Sequence, residues 1–295
     1  MNRTTKFLYK LITVLLVIIL VLSSGLIAAY FVQSWQSKSQ YEQLAGIVGN
    51  DRPTRPVPTK PASTTGETQP DATAPSTEPE NPYVSIYHPE TGERMEILKE
   101  YAQVFMLNTD VVGWIYIEDT MVNYPVMQTS EYNADYYLET DFYHQWNPRG
   151  CLYVREQCDV FAPSDNIIIY GHRMQDGSMF GHLAKYENKE FGMSHRYIQF
   201  DTLYTRKTYE VAYVIVTSAI LGEGFPYHWY LDLSTEEAFN DFVRLCNVYD
   251  IYETGAGLTL GDKLICLSTC EYTQQNGRLV IIAKEVWEDP LTAQH

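Results

Sequence analysis

Paired cysteines are what this sequence most plainly lacks. There are five in 295 residues. The number is odd, so at least one stays unpaired in a monomer, and no two stand at the short spacing of a zinc knuckle or ribbon. Cys151 and Cys158 are close enough in sequence for one bridge, but at so low a density the expectation is free thiols, buried or half-buried. Basic charge is scarce as well: 21 Lys and Arg face 37 Asp and Glu, a formal charge of −16. Such a chain repels phosphate backbones, which sets nucleic acid aside as a partner. There is no internal repeat. No ligand spacing supports a metal, and no cofactor is expected. Apolar material is not lacking. Hydrophobic residues make up 45% and aromatics 14%, with 24 tyrosines, enough for a packed core.

The first ten residues carry Arg3, Lys6 and Lys10 and no acid, and residues 11–32 carry no charge at all. A helix of about 20 apolar residues spans the hydrocarbon core of a bilayer. The cationic flank is N-terminal, so residues 1–10 are expected in the cytoplasm and the rest outside. A cleaved signal peptide is the competing reading, but its apolar region is normally shorter and no small-x-small cleavage site follows the run. Residues 33–81 are read as an extracellular spacer. From residue 51 onward it is rich in Pro, Thr, Ser and Glu, too poor in large apolar groups to offset its ordering entropy. Its prolines favour partly extended chain, which holds the following domain away from the membrane.

Residues 82–295 are expected to form the folded unit. Apolar positions near a 3.6 period predict a helix over about 91–107. The texture then turns to β. Segments starting at Val111, Met121, Gly150, Asn166, Tyr197, Thr208, Lys263 and Arg278 are rich in Val, Ile and Tyr, with Gly, Pro, Asn and Asp at their bounds. Ser234 followed by Glu237 forms a capping box that starts a helix between the sixth and seventh strands. The fold class expected is mainly β: about eight strands forming a barrel or sandwich, with an N-terminal helix and a helix inserted between strands six and seven.

Two stretches could carry chemistry. In LICLSTCEYTQQNGRLVIIAK, Cys270 closes one strand and Arg278 opens the next. A hairpin-like return brings the cation towards the thiol, a setting that favours the thiolate. By spacing alone, a buried cysteine beside an unrelated surface arginine reads the same way. In NIIIYGHRMQDGSMFGHL, an apolar strand runs out into Tyr170, Gly171 and His172. A histidine there can face a cleft and serve as a general acid or base, or can be an ordinary hydrogen-bonded histidine. His182 and His195 are read as non-catalytic.

Taken together, these blocks resemble the sortases. The residues that carry the resemblance are a strand ending in Tyr-Gly-His, a Met-Phe-x-x-Leu segment after it, and Leu-Ser-Thr-Cys with an arginine before a Val/Ile-rich last strand. The helix before the first strand, YPVMQ at 124–128, GSMFGHLAKY from Gly177 and the late helix resemble class B in particular. The resemblance spans about residues 92–287 and implies that the eight strands close as a sortase-type barrel. It implies Cys270 as nucleophile, His172 as acid–base group and Arg278 as the cation that holds substrate backbone or the developing oxyanion. Cys266 departs from the family motif, which often begins there with Thr or a neighbouring apolar residue. A protective Cys266–Cys270 bridge is conceivable but disfavoured, because residues four apart on an extended strand are too far separated for a normal disulfide.

The resemblance further implies a membrane-anchored extracellular transpeptidase. It would cleave the C-terminal sorting signal of secreted proteins through a thioacyl intermediate and pass them to an amine, either of a peptidoglycan precursor or of a pilin. Tyr170, Ser268 and Glu271 flank the three residues and are the candidates for the substrate groove, with the Glu271 N–H as a second oxyanion donor. A cell-wall cysteine hydrolase, a pilin-polymerising enzyme and a non-catalytic anchored binding module are the alternatives.

Overall fold

The computed structural model describes residues 3–49, 55, 81–220, 222–271 and 276–293. Contacts divide the chain into two compact units, residues 1–46 and 47–295. The first is taken up by α1 (Arg3–Val48), 46 residues long. It runs 16 residues past the apolar stretch, so the start of the predicted spacer at residue 33 falls within helix. From Phe7 onward this helix is long and apolar enough to cross a membrane. Three hydroxyls of the apolar stretch are internally satisfied: Thr13, Ser23 and Ser24 each donate to the carbonyl four residues earlier, at 2.7–2.8 Å. That arrangement suits a medium with no water to receive them.

The second unit opens with a hairpin, β1 (Tyr83–Tyr87) against β2 (Arg94–Leu98), and only then a helix, α2 (Lys99–Leu107). The predicted helix over 91–107 is therefore half right. Residues 94–98 pair with 83–87 in register, and this pairing overrides their helical periodicity.

Eight strands follow and close into a barrel: β3 (Val111–Tyr116), β4 (Asn123–Met127), β5 (Leu152–Val154), β6 (Asn166–Tyr170), β7 (Tyr197–Thr202), β8 (Lys207–Ser218), β9 (Leu264–Glu271) and β10 (Gly277–Glu288). Their order around the barrel is β10-β8-β7-β3-β4-β5-β6-β9. These are the eight strands the sequence predicts, and closure leaves no open edge. A short helix, α3 (Lys189–Ser194), precedes β7, and the inserted helix is α4 (Glu236–Tyr249). The cap of α4 is Thr235, whose hydroxyl accepts from the Ala238 N–H at 3.2 Å. Ser234, the predicted cap, instead donates to Asp232 at 2.6 Å. All five cysteines are free thiols.

Two buried ionic clusters tie the barrel to what lies around it. Arg206 binds both oxygens of Glu100 on α2, at 2.7 and 3.1 Å, and Asp289 just after β10 at 2.9 Å. Asp201 on β7 accepts from the Tyr101 hydroxyl at 2.6 Å and from Arg55 at 2.5 Å. Arg55 is 8% exposed, donates also to the Lys207 carbonyl at 2.8 Å and lies over the Trp287 ring. It belongs to the predicted spacer, so that segment has at least one fixed point; residues 51–54 and 56–80 lie outside the described residues.

Removing one partner of a buried, hydrogen-bonded charge cluster leaves the others uncompensated. Arg206→Ala should therefore cost about 3–5 kcal/mol of stability. Arg196→Ala, which loses a more exposed pair with Glu210, should cost under about 1 kcal/mol. Guanidinium unfolding of the detergent-solubilised chain, followed by tryptophan fluorescence, reads both.

Candidate active site

The site is built by β6, β9 and β10 lying side by side. β6 and β9 run parallel, with Tyr170 opposite Ser268. His172 stands two residues beyond Tyr170 and Cys270 two beyond Ser268, so both emerge at the same end of neighbouring strands. The pairing does not stop where the regular ladder stops. The Gly171 N–H donates to the Ser268 carbonyl at 3.2 Å, and the Thr269 hydroxyl donates to the Gly171 carbonyl at 2.8 Å. Both polar groups of the residue before His172 are thus stitched to the residues just before Cys270. Gly171 has to be glycine there: a Cβ would collide with Leu152 and with the Phe180 ring.

Arg278 is brought in by the antiparallel pairing of β9 with β10, where it lies directly opposite Cys270. Residues directly opposite in an antiparallel pair project to the same face, with Cβ atoms about 4.5–5.5 Å apart. Thiol and guanidinium stems therefore share one face. Cys270, His172 and Arg278 are each half-buried, reachable by substrate yet shielded on one side. The guanidinium Nη1 donates back to the Gly277 carbonyl at 3.0 Å.

His172 is oriented by a bond between its Nε2 and the Leu138 carbonyl oxygen at 2.8 Å. A carbonyl can only accept, so Nε2 carries a hydrogen. In the neutral ring Nδ1 is then the basic nitrogen. The chain leaving His172 is held as well, since the Phe180 N–H donates to the His172 carbonyl at 3.0 Å.

The flanking candidates separate. Tyr170 is half-buried, and its hydroxyl accepts from Arg155 at 3.4 Å; burial pushes its phenol pKa up. Ser268 is 2% exposed and shares a 2.6 Å hydrogen bond with the Tyr227 hydroxyl, so it lies beneath the surface rather than on the rim. The Glu271 backbone pairs with Gly277 at the end of β9; its side chain lies outside the described residues. His182 accepts from the Met121 N–H at 3.0 Å, and burial lowers its pKa. His195 stacks on Phe191 at 3.9 Å between centroids. Both have structural partners.

Sequence reasoning missed Tyr227, Thr269 and Leu138. Tyr227 sits in a single 3-10 turn between β8 and α4, with its ring buried against Phe225. Burial raises its pKa, and Arg278 beside it pulls the other way. No local pattern marks this residue. Thr269 was inside the motif already quoted, but its side-chain bond shows only in three dimensions. Leu138 acts through its backbone, so no side-chain pattern could reveal it.

The remaining thiols are buried. Burial pushes Cys158 up to about 11, and Cys246 and Cys266 are raised by burial and sit within electrostatic reach of each other. A cavity of about 650 Å³ lies elsewhere, lined among others by Phe105, Asp110, Gln128, Glu156, Phe161 and Tyr204. Cys158 is among its lining residues, but none of Cys270, His172, Arg278, Tyr170, Ser268 and Glu271 is. Among the described residues no group of three or more His, Cys, Asp or Glu could hold a metal ion.

Residues 115–286 match the sortase domain family model. Sortase B of Listeria monocytogenes is 30% identical over 200 residues, covering 66% of this chain and 78% of the relative. Among solved structures, sortase B of Bacillus anthracis in complex with AAEK1 superposes with a TM-score of 0.62 at 27% identity, over 87% of this chain and 99% of that one. A Staphylococcus aureus sortase B–substrate complex gives 0.58 at 26% identity, over 64% and 86%. With the family model spanning more than half its length and the eight-stranded barrel in place, the chain belongs to the sortase family and is sortase B-like.

Proposed function

We propose that this sortase is anchored by α1 and works outside the membrane. It would cleave a C-terminal sorting signal of secreted proteins and transfer them to an amine of a cell-wall peptide. The observation that carries the reading is the register that sets Cys270 directly opposite Arg278 and at the same barrel end as His172, in a chain of this family.

In this mechanism the Cys270 thiol passes its proton to Nδ1 of His172, and the thiolate sulfur attacks the carbonyl carbon of the scissile amide. An S–C bond forms, and the oxyanion is held by Arg278 and the Glu271 N–H. The C–N bond then breaks as His172 delivers a proton from Nδ1 to the leaving amine. In the second half an incoming amine attacks the thioester carbon, its proton passes back to Nδ1, and the C–S bond breaks. With Nε2 committed to Leu138, one ring nitrogen does all the proton traffic. Tyr170, two residues before His172, is the candidate to line the groove, while Ser268 and Tyr227 are bonded to each other beneath it. The acceptor is assigned to the wall rather than to a pilin by analogy with sortase B relatives.

Cys270→Ala should reduce cleavage of sorting-signal peptides to background. His172→Ala should lose about 10²–10⁴-fold, the usual share of a general acid–base group. Arg278→Lys keeps the charge but loses the planar fork and should cost about 10²-fold in kcat. A fluorogenic peptide assay, run with and without a glycine-containing amine acceptor, checks all three. Turnover that survives either of the first two changes sinks the mechanism. Cleavage with no acceptor-dependent product would make the chain a hydrolase instead.

Deleting residues 1–32 should move the protein from the membrane pellet to the soluble fraction after cell breakage. Retention in the pellet would remove the anchor from the proposal.

A further inference from the structure

The Leu138 carbonyl that orients His172 is a backbone group on a 24-residue connection between β4 and β5. An orienter is only as fixed as the chain that bears it, and this chain is gripped at the neighbouring residue. The Tyr137 ring is 1% exposed. Its hydroxyl donates to Asp110 at 2.8 Å and accepts from the Asn108 amide at 2.9 Å. Asn108 itself is fixed by a second bond, to the Phe142 carbonyl at 2.8 Å. Asn108 caps α2 and Asp110 immediately precedes β3, so the phenol is tied to the barrel frame.

The backbone is held from the other side as well. The Cys151 N–H donates to the Tyr137 carbonyl at 2.9 Å. Gly150, at φ +54°, packs so closely that a Cβ there would strike the Tyr137 and Leu138 carbonyl oxygens. Nothing but glycine leaves the Leu138 carbonyl room to point at the histidine.

We propose that Tyr137 is a positioning residue for the transpeptidase reaction: its hydroxyl, held between Asn108 and Asp110, fixes the adjacent Leu138 carbonyl and so holds His172 in the tautomer with Nε2 protonated. The idea rests on His172 being the acid–base group. It assigns Tyr137 no contact with substrate.

Tyr137→Phe keeps the ring and removes only the hydroxyl. The expected result is a fall of about 5- to 10-fold in kcat, the scale of one hydrogen bond, with KM for the donor peptide unchanged within about twofold. Asp110→Asn, which keeps an accepting oxygen, should restore most of the rate that Asp110→Ala loses. Nitrogen-15 spectra of the full-length enzyme in detergent micelles, labelled at histidine, should show His172 as the Nε2–H tautomer in the parent and as a mixture in Tyr137→Phe. Ile198→Val, a core change in β7 away from the site, controls for lost stability and should leave kcat and tautomer alone.

An unchanged tautomer in Tyr137→Phe overturns the proposal, as does a kcat loss no larger than that of Ile198→Val. The spectrum needs no turnover. If His172→Ala proves fully active, the catalytic reading fails, yet the tautomer result still reports whether Tyr137 governs the ring.

Discussion

Everything at the site depends on a parallel pairing between two strands far apart in sequence. β6 and β9 meet across about a hundred residues, and only their common direction lets a histidine leaving one and a cysteine ending the other surface together. The two bonds at Gly171 extend that pairing past the last regular rung. They matter because strand ends fray, and a frayed end would let the imidazole and thiol drift independently. An ångström of drift between reacting groups is costly. β10 then adds the arginine by simple antiparallel register. No loop has to find its place for these three residues to share one end of the barrel.

The rest of the domain keeps that end rigid. The barrel has no free edge. Its far side is bound by Arg206 to the helix before β3 and to the segment after β10, while Asp201 gathers Tyr101 and Arg55. These clusters lie among buried groups, where a charge is tolerable only because several partners share it. The many tyrosines serve the same end. Tyr83, Tyr101, Tyr137, Tyr186 and Tyr227 bury their rings and give each hydroxyl a hydrogen-bond partner, giving both packing area and direction.

Much of this was legible in the sequence, and the exceptions have physical causes. The eight barrel strands are runs of β-branched and aromatic residues cut by turn formers, so local preference and tertiary structure agree. Over residues 94–98 they conflict. Met95 and Leu98 fit a helical stripe, but pairing with Tyr83–Tyr87 satisfies the backbone in another way. At α4 the capping hydroxyl belongs to Thr235, one residue later than the Ser234 motif suggests, because Asp232 captures the serine. At the site, Cys270, His172 and Arg278 were readable because their side chains sit in a recognisable pattern. Leu138 and Thr269 were not, since one acts through its carbonyl and the other through a bond spanning 98 residues. Ser268 was read as a groove candidate, yet it is buried and its hydroxyl is bonded to the Tyr227 hydroxyl, a partner about forty residues away that no local pattern reveals.

The distribution of sulfur has a practical corollary. Four of the five thiols are buried, and only Cys270 is partly open to solvent. An electrophile added to the native protein therefore meets a single accessible sulfur without any cysteine being removed by mutation. A maleimide dye, a spin label or a heavy atom would report from one defined position, at the junction of β9 and β10. The wild-type sequence comes ready for site-specific spectroscopy.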